Sequence, residues 1–141
     1  MPEVIVSSEG FLRQRVRSGN HEFYADEPPE VGGTGSGPDP YALLLAALGA
    51  CTSMTLQLYA KHKGWPLEQV EVSLRHRHVY AEDCFSCEKS SPKMDLIERD
   101  IRLTGDLSED QKSRLLEIAQ RCPVHRTLSS KITIRDTRSR P

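Results

Sequence analysis

A long apolar stretch at residues 37–64, GPDPYALLLAALGACTSMTLQLYAKHKG, constrains the fold more than any other feature of this sequence. Asp39 can cap a helix with Pro40 at its first position, and Gly64 follows a basic last turn, so both ends of one long helix are marked. Residues 42–50 are apolar around nearly the whole circumference, which a surface helix of a two-layer domain does not need. We therefore expect this helix to be covered on several sides.

Cys51 lies in the most apolar part of this predicted helix. The residues that share a face with it by spacings of three and four are Leu44, Leu48, Thr55 and Leu58. We expect this face to point inward. Gly49 costs about 1 kcal/mol relative to alanine inside a helix, and it allows a kink or the close approach of another backbone.

Strand patterns flank the helix. Residues 3–7, 11–17 and 21–26 predict an antiparallel opening, followed by a loop rich in Pro and Gly that cannot hold a regular element. The predicted elements after the long helix are a hairpin of 70–81 and 94–105, a helix from a Ser108–Gln111 capping box through Gln120, a short helix starting at Cys122, and a last strand over 131–135. This order predicts an α+β domain with a mostly antiparallel sheet.

Composition indicates one domain, 1–141, with a partner chain. No repeat or shift in composition divides the 141 residues. Hydrophobic residues make up 37% and charged residues 28%, so a monomer would have a thin core unless apolar surface is buried against another chain. We expect an oligomer.

Charge argues against nucleic acid and anionic membrane as partners, because 19 basic and 20 acidic residues leave a net charge of −1. No N-terminal segment resembles a secretion signal, and the apolar part of 37–64 is short and polar-flanked for a membrane span. We expect a cytoplasmic protein. Four cysteines in a reducing compartment are buried fillers, metal ligands or redox-active thiols rather than a disulfide framework.

Cys122 stands just before a proline at a predicted helix start. Unpaired N–H groups and the positive end of the helix dipole stabilise a thiolate there, and Arg121, His125 and Arg126 add positive charge. A capping cysteine without a catalytic part fits the same pattern. Cys51, taken by itself, fits a buried small hydrophobe. Together the two could form a redox pair, in which one sulfur is oxidised and the other resolves it.

A second group of candidate ligands lies in the hairpin. His76 and His78 share one face of a strand, and Cys84 and Cys87 form a C-x-x-C in the connector, so the four could bind zinc. The spacing is not that of a well-defined zinc finger. A solvated hairpin tip with two thiols, able to form a local disulfide, is the alternative, and we expect no metal.

The combination of GPDPYALLLAALGACTSMTL and, some seventy residues later, RCPVHRTL resembles the family of osmotically inducible protein C and the organic hydroperoxide resistance proteins (OsmC/Ohr). The resemblance covers nearly the whole chain. It implies an intertwined homodimer, in which sheets from both chains wrap around two long central helices and the active site lies at the interface. It also implies thiol peroxidase chemistry without a cofactor, with Cys51 as the peroxidatic and Cys122 as the resolving cysteine.

The resemblance further implies an arginine from the N-terminal strands that activates the thiol. Arg13 and Arg15 are the candidates, with Arg13 preferred. The candidate substrate-binding residues are Tyr41, Leu44, Leu48 and His125. The better-known hydroperoxidases have a glutamate where this chain has Tyr41, whose hydroxyl can form a hydrogen bond but cannot hold a negative charge near neutral pH.

Two functions follow as hypotheses. The first is a dithiol reductase of small organic hydroperoxides that takes electrons from a small dithiol or a lipoyl-bearing protein. The second is a non-enzymatic dimer that senses oxidants or binds a small ligand. From the residues alone, the electropositive setting of Cys122 favours its thiolate, whereas the apolar setting of Cys51 raises a thiol pKa.

Overall fold

The computed structural model describes residues 3–79 and 94–140. The chain divides into two compact units, Met1–Ala46 and Ala47–Pro141. Helices and antiparallel strands occur together in this chain, which confirms the predicted α+β class. The assignment of 1–141 to one domain stays a prediction.

A three-stranded antiparallel sheet forms the first unit, with the order β1-β2-β3. Its strands are β1 (Val4–Glu9), β2 (Arg13–Ser18) and β3 (His21–Ala25). The predicted opening is confirmed, including the turn after Ser18, where Gly19 adopts a φ of 57° that favours glycine.

Asp26 organises the loop that follows β3. Its carboxylate accepts hydrogen bonds from the hydroxyl and the backbone N–H of both Thr34 and Ser36, and from the Glu27 N–H. These bonds, the Thr34 hydroxyl first, hold the pKa of this buried carboxyl well below its usual range. The loop contains one 3₁₀ turn, Pro29–Val31, so the prediction that it holds no regular element was wrong for these three residues.

The long helix, α1, spans Pro40–Lys63. The Ala42 N–H donates to the Asp39 carboxylate at 2.7 Å, and Gly64 has a φ of 72°, so both predicted ends are confirmed. By length and composition alone this helix could cross a membrane, since its mean hydropathy over 18 residues is 1.5. From the sequence we expected its apolar part to be too short for a membrane span. The core helix of a soluble protein satisfies the same criterion, and Leu56 and Ala60 of α1 lie in the hydrophobic core.

The buried face of α1 differs from the predicted one. The fully buried positions are Leu48, Gly49, Thr52, Leu56 and Ala60. Cys51 and Thr55 are only partly buried, and Leu58 is 70% exposed, so the expectation of an inward face through Leu58 was wrong. A helix that is apolar all round does not indicate which side faces its own core, and the packing partners decide it.

Gly49 allows a close contact, as its position predicted, but the neighbour is a side chain. A Cβ at this position would lie 2.8 Å from Cδ1 of Leu74. Leu74 belongs to β4 (Leu67–Val79), which pairs with β5 (Met94–Gly105) in the predicted antiparallel hairpin.

Two further helices complete the second unit. The Ser108–Gln111 capping box is present at the start of α2 (Glu109–Ala119), and α3 spans Pro123–Leu128. The hydrophobic core is formed by α1, α2 and the loop before α2, through Leu56, Ala60, Leu107, Leu115, Ile118 and Ala119.

The strand predicted over 131–135 is wrong. Residues 131–140 form no strand in the described part of the chain, and Ile134 is 83% exposed. The alternation of Ile132 and Ile134 fits a strand, but a strand needs a neighbour to complete its hydrogen bonds, and none of the described strands pairs with this segment.

Candidate active site

Two cysteines that are far apart along the chain meet in the second unit. Cys51 lies near the middle of α1 and Cys122 is the N-cap of α3, and their free thiols lie close enough for each to shift the pKa of the other. The Val124 N–H donates to the Cys51 sulfur at 3.5 Å, and the His125 N–H donates to the Cys122 sulfur at 3.3 Å. The start of α3 therefore supplies N–H donors to both sulfurs.

The local sequence explains this arrangement. Pro123 restricts Cys122 to an extended conformation, with a φ of −57° and a ψ of 132°, and then fits the first turn of α3. Cys122 is fully buried, whereas Cys51 is partly exposed. Of the two sulfur-bearing side chains, that of Cys51 is the more accessible to a reagent from solution.

The two thiols differ in pKa. Burial, followed by the hydrogen bond with Cys122, raises the pKa of Cys51. Burial also acts to raise the pKa of Cys122, but hydrogen bonds to its sulfur outweigh burial and lower that pKa. The neighbours responsible are Cys51, the His125 N–H that donates to the sulfur, Thr52 and the Val124 N–H. Cys122 is therefore the more acidic thiol of the pair, in the order that the residues themselves predicted.

Arg99 supplies a guanidinium group that sequence reasoning did not include in the site. It extends from β5, where Nη1 donates to the Thr52 hydroxyl at 3.0 Å and Nη2 donates to Nδ1 of His125 at 3.0 Å. Burial lowers the pKa of Arg99, while the charge of Cys122 acts in the opposite direction, so the guanidinium and the thiolate stabilise each other.

A signal for Arg99 was present in the sequence. Side chains alternate along β5, so Arg99 lies on the same face as Ile97, Ile101 and Leu103. Arg99 therefore interrupts a stripe of apolar side chains. An arginine in a buried stripe needs a partner or an anion, because an unpaired buried charge is costly. That reasoning identifies Arg99 as a site candidate without any knowledge of the fold.

His125 links Arg99 to the start of α3. Its Nδ1 accepts from Arg99, which cannot act as an acceptor, so a neutral ring carries its proton on Nε2. Burial, followed by the charge of Arg99, lowers the pKa of His125. The ring is therefore neutral at neutral pH.

A cleft of about 410 Å³ lies beside this network. It is lined by Leu48, Asp95, Ile97, Arg99, His125, Leu128 and Ser129. Three of these side chains are aliphatic, and the guanidinium and imidazole add polar groups to its wall. The volume is within the range of small-molecule sites.

Four of the predicted site residues, Arg13, Arg15, Tyr41 and Leu44, belong to the first unit. Arg13 pairs with Glu9 at 3.2 Å and lies over the Tyr24 ring, while Arg15 pairs with Glu22 at 3.1 Å. Both guanidinium groups thus have acidic neighbours within their own sheet.

Of the predicted substrate-binding residues, Leu48 and His125 line the cleft, while the side chains of Tyr41 and Leu44 are exposed.

Two of the four predicted metal ligands, His76 and His78, lie in the described part of the chain. His76 and His78 lie next to each other on β4, and the third side chain with them is Asp95 of β5. Cys84 and Cys87, which the sequence suggested as partners, lie outside the described residues. Asp95 was not predicted, because only the register of the hairpin places it opposite His78.

Replacing Arg99 with glutamine is expected to slow alkylation of the thiol pair roughly tenfold at neutral pH, because the thiolate loses a neighbouring positive charge. The pH at which alkylation reaches half its maximal rate moves upward. Iodoacetamide labelling followed by peptide mass spectrometry measures each cysteine separately. Arg102→Gln is the matched control, since Arg102 lies on the same strand and pairs with Glu71 in solvent. Equal rates in the two variants would contradict the role of Arg99.

Comparison with known proteins places this geometry in a family. The OsmC-like protein family matches residues 33–135, a range that includes both cysteines, Arg99 and His125. No curated protein sequence matches the chain.

Solved structures share the fold at low identity. A candidate osmotic stress induced and detoxification response protein from Psychrobacter arcticus 273-4 has a TM-score of 0.71 at 18% identity, covering 90% of this chain and 88% of that one. The organic hydroperoxide resistance protein OsmC from Legionella pneumophila has a TM-score of 0.63 at 19% identity, covering 90% and 89%. The organic hydroperoxide resistance protein OhrB of Bacillus subtilis has a TM-score of 0.60 at 19% identity, covering 90% of each chain. These likenesses confirm the predicted OsmC-like fold, and with the family match they establish that the chain belongs to the OsmC-like protein family.

Proposed function

We propose that this protein reduces organic hydroperoxides with the Cys51–Cys122 thiol pair, as part of a defence against oxidants. The observation that carries the proposal is that two free thiols meet at the start of α3, where neighbouring backbone N–H groups donate to their sulfurs. Family membership supports it, because two structural relatives are described as organic hydroperoxide resistance proteins.

The reaction needs only the two thiols and an external reductant. The Cys51 sulfur attacks the outer peroxide oxygen, the O–O bond breaks, and the alkoxide leaves as an alcohol after taking up a proton. Cys51 is then a sulfenic acid. The Cys122 thiolate attacks its sulfur, a disulfide forms, and hydroxide leaves as water with a second proton. A dithiol or a lipoyl-bearing protein returns two electrons and two protons, which regenerates both thiols.

The roles of the two sulfurs follow from access and charge. Cys51 is the partly exposed sulfur, so it is the one that a peroxide can reach, while Cys122 is fully buried. Because the two thiols are neighbours, the Cys51 proton can pass to the Cys122 thiolate as Cys51 attacks. Cys122 then gives this proton to the departing alkoxide and, as a thiolate again, attacks the sulfenic acid on Cys51.

The cleft beside Arg99 suggests the class of substrate. Leu48, Ile97 and Leu128 provide an apolar wall for an alkyl group, and the Arg99 guanidinium and His125 ring can donate to the peroxide oxygens. Neither cysteine is among the lining residues, so the cleft would hold the organic part while the peroxide group extends toward Cys51. This arrangement favours organic peroxides over hydrogen peroxide.

A homodimer accounts for the apolar surface that α1 leaves exposed. Met54 is 65% and Leu58 70% exposed, although both side chains are apolar. A second chain packed against this face would remove them from water and gain roughly 25 cal/mol per Å² of apolar surface. We place this dimer in the cytoplasm, where reductants are available to recycle the thiols.

Steady-state assay with cumene hydroperoxide and excess dithiothreitol or dihydrolipoamide tests the function. We expect many equivalents of peroxide to be consumed per chain, with a higher kcat/KM than for hydrogen peroxide. Consumption of a single equivalent would instead indicate an oxidant sensor without turnover. No consumption by the fully reduced protein would contradict both functions.

A further inference from the structure

The hairpin carries a second group of side chains with convergent ligand atoms, separate from the two thiols. His76 and His78 alternate on one face of β4, and the register places Asp95 of β5 directly opposite His78 and diagonal to His76. Their ligand atoms all lie within 4.8 Å of one another. We propose that His76, His78 and Asp95 bind a divalent transition-metal ion.

The two imidazoles approach one carboxylate oxygen from different sides. Nε2 of His76 and Nδ1 of His78 each lie 2.8 Å from Oδ1 of Asp95, and the two rings are nearly perpendicular, with centroids 5.2 Å apart. The nitrogens therefore converge on a common point. In a tetrahedral zinc site with bonds of 2.0–2.1 Å, ligand atoms are separated by roughly 3.3 Å, so a small outward shift of these side chains accommodates an ion.

The ligand types select the class of ion. Two imidazoles and a carboxylate suit Zn²⁺, Co²⁺, Ni²⁺ or Fe²⁺, whereas Ca²⁺ and Mg²⁺ prefer oxygen ligands. Three protein ligands leave at least one position open for water or a small molecule. Asp95 also lines the cleft beside Arg99, so an ion bound here would lie at the edge of that cleft.

Two arginines are near this site. Arg99 lines the same cleft as Asp95, with Nη1 and Nη2 directed to Thr52 and His125. Arg77 lies between the two histidines in sequence but points to the other face of β4, where it pairs with Glu98 at 3.1 Å. The side chains of His78 and Asp95 are exposed, while that of His76 is mostly buried. An ion can therefore enter from solvent and meet one ligand that packing already holds in place.

An alternative accounts for the same contacts without metal, namely a carboxylate that accepts hydrogen bonds from two imidazoles. The two arrangements differ in what the ring nitrogens do: an N–H donates to Asp95 in one, and a lone pair coordinates the ion in the other. Titration with a metal distinguishes them.

The test is titration of the reduced full chain, free of any affinity tag, with Co²⁺ and then competition with Zn²⁺. We expect saturable binding of one equivalent with the visible spectrum of nitrogen and oxygen ligands. His78→Ala and Asp95→Asn should each weaken binding at least about tenfold. His62→Ala, which removes an exposed histidine at the end of α1, should leave the affinity unchanged.

Three outcomes would overturn the proposal. They are absence of saturable binding, equal affinity in all three variants, and a thiolate-to-cobalt charge-transfer band, which would place cysteines among the ligands. Thermal unfolding in the presence of a chelator checks that each variant is folded, and two of the substituted side chains, His78 and Asp95, are exposed enough to be replaced without loss of the core. Because neither thiol takes part, this result is independent of hydroperoxide turnover.

Discussion

Replacing Cys51 with serine is expected to abolish hydroperoxide turnover, with a loss in kcat/KM of at least about 10³-fold, because a serine hydroxyl is not deprotonated at neutral pH and cannot accept the peroxide oxygen. The other thiol of the pair, Cys122, is fully buried. Consumption of cumene hydroperoxide with excess dithiothreitol measures the effect. Labelling with a sulfenic-acid probe should give no product on Cys122.

Cys122→Ser is the matched comparison. This variant keeps the accessible sulfur, so it should consume one equivalent of peroxide and accumulate a sulfenic acid on Cys51 that the probe traps. Turnover then depends on the external thiol alone and is slow. If Cys51→Ser forms a sulfenic acid on Cys122 while Cys122→Ser is inert, the roles of the two cysteines are reversed. The lower pKa of Cys122 would favour that result if solvent access played no part.

Replacing Leu115 with alanine should lower the free energy of unfolding by roughly 2–5 kcal/mol, because its side chain is 0% exposed and its removal leaves a cavity in the core. Leu115 belongs to the core cluster that α2 shares with Leu56 and Ala60 of α1. Urea unfolding of the reduced protein, followed by circular dichroism, measures the change. The urea midpoint should fall without a change in slope.

Leu116→Ala is the control from the adjacent position. Leu116 has the same side chain on the same helix but is 47% exposed, so its replacement should cost less than about 1 kcal/mol. A loss as large as that of Leu115→Ala would show that Leu116 is buried in solution, and dependence of that loss on protein concentration would place it in an interface between chains.

This pair of leucines shows that sequence patterns predict a helix but not which of its apolar side chains are buried. Both are adjacent leucines of the helix predicted from Ser108 to Gln120, and nothing in the sequence separates them. The same holds for α1, whose limits at Asp39 and Gly64 were correctly predicted from capping chemistry, while the predicted inward face was wrong. Capping depends on neighbouring residues and can be read locally. Burial depends on what packs against the helix.

The candidate site shows the same division. The electropositive start of α3 at Cys122 was evident from Pro123 and the residues around it, and its lowered thiol pKa agrees with that reading. Arg13 and Arg15 followed from the resemblance to the family, and their role stays a prediction. Arg99 was missed, although an arginine in the apolar stripe of β5 was a usable signal.

The sequence by itself determined the ends of the helices, the β4–β5 hairpin, the family and the residue types available for thiol chemistry, because each depends on short-range stereochemistry or on recognisable motifs. Only the tertiary structure decided that Cys51 contacts Cys122, that Arg99 reaches Thr52 and His125, and that Asp95 joins the two histidines. These contacts join residues on different elements. Their geometry is set by strand register and helix packing, which no local pattern specifies.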